Sequence, residues 1–219
     1  MIPFNLKEAL KSGVYCAGTT GSGKSDVLMY IAQELMKHDI IVIVFDPSQD
    51  WITRSSIADY AYSSSYIAYP IPQKSIVYDL SLESPKEQQK MVEDFCRRLM
   101  KQQAETSKET RKQYFLIFEE AHTYFPQGCM MAKRNQNTVK MMTQGRNFKV
   151  RFACVTQFSA MIDKNAMRYM KQRYFGATDE PNDVEYIQKF FPRKNREDVS
   201  VTLGCPVAGQ FMYRYGKQR

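Results

Sequence analysis

The sequence of 219 residues lacks long hydrophobic runs, a signal-type N-terminus and internal repeats. Its longest clean apolar run, residues 40–45, is far too short to cross a bilayer, which excludes a membrane-spanning helix. Because no apolar segment lies near the N-terminus, we expect an intracellular protein without an integral membrane segment. The absence of a low-complexity linker predicts one domain over residues 1–219.

Cysteine is sparse and shows no pairing pattern. The five cysteines are odd in number, lie far apart and form no C-x-x-C pair. This spacing argues against a zinc site and against a disulfide framework, so we expect buried free thiols. They are Cys16, Cys96, Cys129, Cys154 and Cys205.

The whole chain has a formal net charge of +8, and its positive charge is concentrated in the last part of the sequence. Residues 1–129 hold 14 basic and 16 acidic side chains, whereas residues 130–219 hold 17 and 7. This asymmetry favours a polyanionic partner, with nucleic acid ahead of an anionic membrane surface. A basic surface that serves only solubility is the alternative.

Apolar segments alternate with helix-like segments, and 43% of the residues are hydrophobic. Such alternation predicts an α/β fold with a mostly parallel central sheet flanked by helices. Strands are expected at residues 13–18, 40–46, 114–120, 150–157, 173–178 and 208–215. Helices are expected at residues 24–38, 84–105, near 133–144, near 163–172 and after Pro181. Residues 46–51 resemble a turn, and the Tyr- and Ser-rich residues 58–72 give no assignment.

The segment "GTTGSGKS" lies between a predicted strand and a predicted helix, and it matches the phosphate-binding pattern G-x-x-x-x-G-K-[ST]. Its glycines let backbone N–H groups curl around a phosphate, and the helix that follows offers its positive end. Lys24 can reach the β- and γ-phosphates, while the Ser25 hydroxyl can bind Mg²⁺. We therefore expect nucleotide contacts from Gly18, Thr19, Thr20, Gly21, Ser22, Gly23, Lys24 and Ser25.

The segment "FLIFEEAH" ends a buried-strand pattern with two adjacent carboxylates. A carboxylate at the end of a neighbouring strand can hold Mg²⁺, usually through water, which we assign to Glu119. Successive side chains diverge along a strand, so Glu120 is placed to act as the general base that orients the attacking water. His122 is expected to orient a loop, without a catalytic role.

A hydrolytic site also needs a polar sensor of the γ-phosphate and a cation for the charge of the transition state. Gln157, at the end of the predicted strand "FACVTQ", is the sensor candidate; a solvent-facing glutamine is the alternative. For the cation, Arg146 in "TQGRNFKV" comes first, ahead of Arg151 and Arg173.

In this order, "GTTGSGKS", "FLIFEEAH", "QGRNFKVRFACVTQ" and the basic last third resemble the FtsK–HerA superfamily of ring ATPases. The match looks closest to the genome-packaging ATPases of turreted icosahedral archaeal viruses, and it covers nearly the whole chain from Gly13. The resemblance implies a RecA-like P-loop domain that hydrolyses ATP with Mg²⁺. It implies a homo-oligomeric ring, commonly a hexamer, that moves DNA through a central channel. It also implies an arginine supplied by a neighbouring subunit, for which Arg146 is the candidate.

One position departs from the family pattern, because Glu119 stands where an aspartate usually precedes the catalytic glutamate. A longer side chain can still hold Mg²⁺ through water, but the division of roles between Glu119 and Glu120 stays open. Only 17 residues precede the P-loop, whereas cellular relatives carry further domains there, so we expect the motor alone.

Three other functions compete with this interpretation. A self-contained helicase needs two motor lobes, and 219 residues hold one. A small-molecule kinase must avoid attack by water and would not need Glu120 beside the metal carboxylate. A secretion-type motor that moves protein, or a cellular DNA-repair motor, remains the alternative to DNA packaging.

The helix predicted near residues 163–172 is the first candidate DNA contact. Lys164, Arg168 and Lys171 fall at i, i+4 and i+7, so one helical face would carry all three charges. On the opposite side, Ala166, Met167 and Met170 would face the core. Phosphate contact without base recognition is expected of a translocating motor, whereas a solvated face is the ordinary alternative.

A second basic candidate is "PRKNRED", which contains Arg193, Lys194 and Arg196. Four tyrosines could stack on bases, although core or subunit packing is the more common use of such residues. These are Tyr60, Tyr62, Tyr66 and Tyr69.

The motifs together with the family resemblance lead us to expect an ATP-driven translocase, and the resemblance implies that it packages a viral double-stranded DNA genome. The expected partners are DNA, further copies of the chain and a viral capsid or portal vertex, in the host cytoplasm or the virion. No motif distinguishes a duplex from single strands.

Overall fold

The structure is a computed structural model that describes residues 2–57, 59–62, 70–128, 136–204 and 209–215. The strands are β1 (Val14–Ala17), β2 (Ile41–Asp46), β3 (Tyr60–Tyr62), β4 (Ile76–Asp79), β5 (Tyr114–Phe118), β6 (Val150–Thr156), β7 (Gln172–Phe175) and β8 (Met212–Tyr215). The α-helices are α1 (Leu6–Ser12), α2 (Lys24–Met36), α3 (Asp50–Arg54), α4 (Pro85–Glu105), α5 (Gln136–Gln144), α6 (Lys164–Met167), α7 (Pro181–Gln188) and α8 (Arg196–Gly204). Short 3₁₀ turns occupy Gly145–Phe148, Ser159–Met161 and Arg193–Asn195.

Within the described residues, eight strands form one sheet in the order β3-β4-β2-β5-β6-β1-β7-β8. All neighbouring pairs run parallel except β7 and β8, which run antiparallel. The predicted α/β fold with a mostly parallel sheet is therefore confirmed. Because the parallel strands end at the same edge, the residues that follow β1, β2, β5 and β6 meet there.

The central strands are buried on both faces, which explains their continuous apolar sequences. Every residue of β2, β5 and β6 is buried. One face packs against α1, α2 and α3, and the other against α4 to α8. Each face removes a large apolar area from water, which is the main favourable contribution to folding.

Helix α4 shows how local sequence sets the boundary of an element. Ser84 caps its N-terminus, and the Glu87 carboxylate accepts a 3.0 Å hydrogen bond from the Ser84 N–H in return. Pro85 occupies the first helical position, where a missing N–H costs nothing. Such a cap stabilises a helix by about 1 kcal/mol. The helix predicted at residues 84–105 is confirmed, with Ser84 as its N-cap.

The helix predicted near 163–172 is wrong in length, since α6 ends at Met167 and β7 begins at Gln172. The chain has to leave the helix early in order to reach the amino end of the sheet. Ala166, Met167 and Met170 are buried, as predicted. Lys164, Arg168 and Lys171 are exposed, but they do not share one helical face.

Five further elements were not predicted. Strand β3 lies inside the segment 58–72 that the sequence left unassigned, β4 follows that segment, and α3 begins inside the predicted turn at residues 46–51. Helices α1 and α8 were also not predicted. Each of the five is only three to nine residues long, which gives little or no periodic signal.

Membrane-spanning helices and the state of the cysteines can be checked within the described residues. No helix of these residues is long and apolar enough to span a bilayer. Cys16, Cys96 and Cys154 are free and buried, as expected, whereas Cys129 and Cys205 lie outside the described residues.

Candidate nucleotide-binding site

The P-loop connects β1 to α2 at the carboxyl edge of the sheet. Gly21 and Gly23 have φ values of +78° and +91°, a left-handed region that favours glycine. The Thr19 N–H donates a 2.8 Å hydrogen bond to the carbonyl of Ala177, which ties the loop to the segment that follows β7. This geometry directs the start of α2 into the cleft, as the sequence predicts.

Lys24 is held within the P-loop itself. Its ammonium group donates a 2.8 Å hydrogen bond to the carbonyl of Thr19, and its side chain is buried. The neighbouring Ser25 hydroxyl lies 3.4 Å from Oδ2 of Asp50 and donates to it. Both predicted phosphate- and metal-binding groups therefore lie in the same cleft.

Glu119 follows β5 and is buried at the floor of the cleft. Its Oε1 accepts a 2.7 Å hydrogen bond from the indole Nε1 of Trp51. Burial raises the pKa of the Glu119 carboxyl to about 7, and the nearby Asp46 and Glu120 carboxylates act in the same direction. The Trp51 hydrogen bond and Lys24 oppose this rise in pKa.

Glu120 has a φ of +48°, which is uncommon for a residue other than glycine. This backbone turn separates its side chain from that of Glu119, and Oε1 of Glu120 accepts a 2.8 Å hydrogen bond from Nε2 of Gln157. Oε1 of Gln157 in turn accepts a 2.9 Å hydrogen bond from the Thr20 hydroxyl. The structure thus brings Glu120, Gln157 and the P-loop together, and Gln157 is not a solvent-facing strand end.

His122 lies beside Glu120. Its Nδ1 is 3.3 Å from Oε2 of Glu120, an ion pair when the imidazole is protonated, and 3.2 Å from the Thr156 hydroxyl. The His122 ring also contacts the edge of Phe158. These contacts fit the expectation that His122 orients a loop.

Sequence reasoning missed the contribution of α3 and of the loop that joins it to β2. Asp46 accepts hydrogen bonds from the Ser48 N–H and hydroxyl and from the Trp51 N–H, which folds the loop back over the sheet edge. Asp50 and Arg54 form an ion pair at the mouth of the cleft. The available signal was the polar stretch "DPSQDW" directly after a buried strand.

These side chains line one cleft with a volume of about 610 Å³. Its lining comprises Thr20, Gly21, Gly23, Lys24, Ser25, Asp26, Ser48, Asp50, Arg54, Glu119, Glu120, Gln157 and Gly209. The combination of a P-loop, two adjacent carboxylates and a glutamine suits a nucleoside triphosphate with its metal ion.

The donor set fits Mg²⁺ rather than a fully protein-bound metal. Among the residues that the structure describes, no group of three or more His, Cys, Asp or Glu side chains could hold a metal ion. Mg²⁺ usually keeps several waters and takes one or two protein oxygens plus substrate phosphates. The Ser25 hydroxyl and the Glu119 carboxylate would supply those protein oxygens.

The arginine candidates lie away from the cleft of their own chain. Arg146 is exposed in the 3₁₀ turn before β6, at the opposite end of that seven-residue strand from Gln157. This separation is about 23 Å at the usual rise per strand residue. Arg151 donates to the Leu10 carbonyl, and Arg173 stacks over the Phe190 ring at 4.6 Å. Among the described residues, the arginine that lines the cleft is Arg54, which was not predicted.

The remaining basic DNA-contact candidates lie in the turn before α8 and at the start of that helix. Arg193 and Lys194 are exposed in the last 3₁₀ turn, and Arg196 is half-buried at the start of α8. Tyr60 and Tyr62 belong to β3, and Tyr66 and Tyr69 lie outside the described residues.

A protein-family model and a set of solved structures point to the same family. A search of curated protein sequences found no significant match. In a solved complex with ATP-gammaS, the genome packaging NTPase B204 of Sulfolobus turreted icosahedral virus 2 is 21% identical, with a TM-score of 0.65 over 93% of this chain and 95% of that one. The bacterial conjugative coupling protein TrwBdeltaN70 is 7% identical, with a TM-score of 0.70 over 100% and 85%. EssC (ATPases 2 and 3) of Geobacillus thermodenitrificans is 12% identical, with a TM-score of 0.55 over 94% and 38%.

These similarities confirm the RecA-like P-loop fold and the predicted resemblance to the FtsK–HerA superfamily. The family described as the central domain of the helicase HerA matches residues 2–152, more than half of the chain. The chain therefore belongs to the HerA central-domain family of P-loop proteins.

Proposed function

We propose that this protein is a single-domain, Mg²⁺-dependent ATPase that works as a ring and drives double-stranded DNA into a viral capsid. The observation that carries the ATPase assignment is the convergence of Glu120, Gln157 and Thr20 in the P-loop cleft. A kinase has no use for a carboxylate placed to activate water beside the metal-binding residue. Hydrolysis is therefore the reaction that this set of side chains supports best.

The residues take the following roles in hydrolysis. The P-loop N–H groups bind the phosphates, and the Lys24 ammonium exchanges the Thr19 carbonyl for the β- and γ-phosphate oxygens. Ser25 and Glu119 would hold Mg²⁺, which supplies neutralisation of the charge on the phosphates. Glu120 accepts a proton from the water that attacks the γ-phosphorus, and Gln157 orients Glu120 and that water.

Family membership and charge support DNA as the substrate. HerA is described as a helicase, and B204 is described as a genome packaging NTPase. The excess of basic side chains in residues 130–219 suits a polyanion. The exposed Lys164, Arg168 and Lys171, together with the basic residues of the turn before α8, are the proposed phosphate contacts.

A ring is supported by the position of Arg146. This arginine lies too far from the cleft of its own chain to reach a bound γ-phosphate, but it is exposed and so available to a neighbouring copy. We assign to it the stabilisation of transition-state charge in the adjacent subunit, which makes hydrolysis depend on assembly.

The test is steady-state ATP hydrolysis with Mg²⁺, with and without double-stranded DNA, for the wild type and Glu120→Gln. The substitution keeps the size of the side chain but removes the base, so hydrolysis should stop while binding of a non-hydrolysable ATP analogue persists. Glu34→Gln, on α2 beside Lys37, is the matched control and should hydrolyse ATP like the wild type. Sedimentation in parallel reports whether the protein forms a ring.

The outcomes separate the competing functions. Hydrolysis that needs Glu120 and rises with DNA supports a nucleic-acid motor. Hydrolysis that needs Glu120 but ignores DNA points to a motor that moves protein. Turnover that survives Glu120→Gln overturns the role of Glu120, and transfer of phosphate to a small molecule instead of water overturns the ATPase assignment.

A further inference from the structure

The only tryptophan of the chain contacts the carboxylate assigned to the metal. Trp51 is completely buried, and its Nε1 donates a 2.7 Å hydrogen bond to Oε1 of Glu119. Indole is a donor with a single N–H, so this bond uses its whole hydrogen-bonding capacity. This hydrogen bond to a buried carboxylate fixes the orientation of that carboxylate.

The position of Trp51 is itself fixed by the end of the neighbouring strand. Asp46, the last residue of β2, accepts a 2.9 Å hydrogen bond from the backbone N–H of Trp51. The other oxygen of Asp46 accepts from the Ser48 N–H at 2.9 Å and from the Ser48 hydroxyl at 2.7 Å. The backbone of Trp51 is thus held by Asp46, and the burial of its indole ring restricts the position of the side chain.

The start of α3 also reaches the second residue that would hold the metal. Asp50, the residue before Trp51, accepts a 3.4 Å hydrogen bond from the Ser25 hydroxyl. The first turn of α3 therefore contacts Glu119 through Trp51 and Ser25 through Asp50. Both residues proposed to hold the metal are thus hydrogen-bonded to the same helical turn.

We propose that Trp51 is a positioning residue for Glu119, which fixes one carboxylate oxygen and leaves the other for the metal and its waters. This inference rests on the proposed function, because it assigns Glu119 to Mg²⁺. Partners of metal ligands typically change metal affinity or activity by about 10- to 100-fold when they are removed. Trp51 contributes to the binding of the metal–nucleotide complex and not to the binding of the nucleotide alone.

The experiment is calorimetric titration of the full chain with AMPPCP, in EDTA and in Mg²⁺. In the wild type, Mg²⁺ should tighten binding of AMPPCP. In Trp51→Phe, which keeps an aromatic ring but lacks the N–H, affinity in EDTA should match the wild type, whereas the tightening by Mg²⁺ should shrink by about tenfold. The matched control is Tyr174→Phe, which removes another buried aromatic donor, the 2.6 Å hydrogen bond to the Pro3 carbonyl.

Two results would overturn the inference. One is a full Mg²⁺ effect in Trp51→Phe; the other is an equal loss of affinity in EDTA and in Mg²⁺, which marks a purely structural residue. If the wild type binds no AMPPCP under either condition, the proposed function itself fails. A loss of the Mg²⁺ effect confined to Trp51→Phe supports both.

A second measurement starts from the wild type and does not depend on the folding of Trp51→Phe. Because Trp51 is the sole tryptophan, its emission reports the environment of one indole. Adding Mg²⁺ to the protein saturated with AMPPCP should change this emission, and Glu119→Ala should remove the change. An emission that ignores Mg²⁺, or a change that survives Glu119→Ala, counts against the positioning role.

Discussion

The amide nitrogen of Gln157 lies 2.8 Å from Oε1 of Glu120 and joins the ends of β6 and β5. The amide oxygen of Gln157 also accepts the Thr20 hydroxyl of the P-loop at 2.9 Å. One side chain therefore connects the loop that would bind the phosphates to the carboxylate that would activate water. A phosphate that displaces Thr20 would change the hydrogen bonds available to Gln157 and, through it, the orientation of Glu120.

Gln157→Met should separate hydrolysis from binding. Methionine keeps the length of the side chain but removes both hydrogen bonds, so Glu120 loses its link to the P-loop. We expect the turnover number to fall by about 10²-fold, the usual effect of removing one preorganised polar group, with little change in affinity for an ATP analogue. Gln127→Met, at an exposed position near the same sheet edge, is the control. Unchanged turnover would leave Gln157 without a role in the reaction.

The Glu119 carboxyl should make the metal-free protein less stable as the pH rises. Its pKa is about 7 in the folded chain against 4.5 for an unperturbed glutamate, so the folded state binds the extra proton between these values. The free energy of unfolding therefore falls as the pH rises from about 4.5 to about 7, in total by on the order of 3 kcal/mol. Glu119→Gln, which is neutral at every pH, should flatten this dependence.

Urea titrations in EDTA across that range would measure the effect, with Glu87→Gln as a control. The pKa of the exposed Glu87 lies below its ordinary value, because it accepts hydrogen bonds from Ser84. Its substitution should therefore remove stability that is present above the unfolded pKa and lost in acid, which is the opposite pH dependence. Identical pH profiles for the wild type and Glu119→Gln would mean that the Glu119 carboxyl is not held neutral by burial.

Gly176→Ala should weaken nucleotide binding, because the added methyl group would crowd Ser22 of the P-loop. A Cβ at position 176 would lie 2.9 Å from Cε1 of Phe211 and 3.1 Å from the Ser22 hydroxyl oxygen, both closer than normal contacts. Ser22 is buried, so the clash would displace the P-loop, and we expect the nucleotide affinity to fall by about tenfold. Titration with an ATP analogue measures this change.

The matched control is Gly204→Ala, because a Cβ there would meet no atom within 4 Å. It should bind the nucleotide like the wild type and unfold at an equal or slightly higher temperature, since alanine favours a helix more than glycine does. Equal affinity in Gly176→Ala and the wild type would show that the P-loop tolerates displacement from that side.

Much of this site could be predicted from the sequence, because its parts are local motifs at strand ends. The P-loop needs only a strand, a glycine-rich turn and a helix, and Glu119, Glu120 and Gln157 each follow a continuous apolar strand. Parallel strands bring such residues to one edge whatever their order. The contact of Gln157 with Glu120, however, depends on β5 and β6 being neighbours, which the sequence does not state.

The missed residues depend on contacts between distant segments. Trp51 meets Glu119 only because β2 lies beside β5 and α3 folds over the same edge. Helix α6 is shorter than predicted since the spacing of Lys164, Arg168 and Lys171 continues past the point where the chain turns towards β7. Periodicity records which side chains could share a face, whereas the position of the next strand decides where the helix ends.

The basic segment from Lys164 to Lys171 gives the sharpest test of the substrate. Its three charges are exposed although they do not share one helical face, so phosphate contact remains the proposal for them. Each contact with duplex phosphate releases condensed counterions, and loss of three should reduce the slope of log K against log salt by about 3. The measurement is DNA affinity at several salt concentrations for the wild type and the triple variant Lys164→Gln, Arg168→Gln, Lys171→Gln.

The matched control is a second triple variant, which removes the same charge from exposed positions on and just beyond α4: Lys86→Gln, Lys90→Gln, Lys108→Gln. It should leave the slope near that of the wild type. Equal slopes for both triple variants would move the DNA interface to another surface, with Arg193 and Lys194 next to be tested.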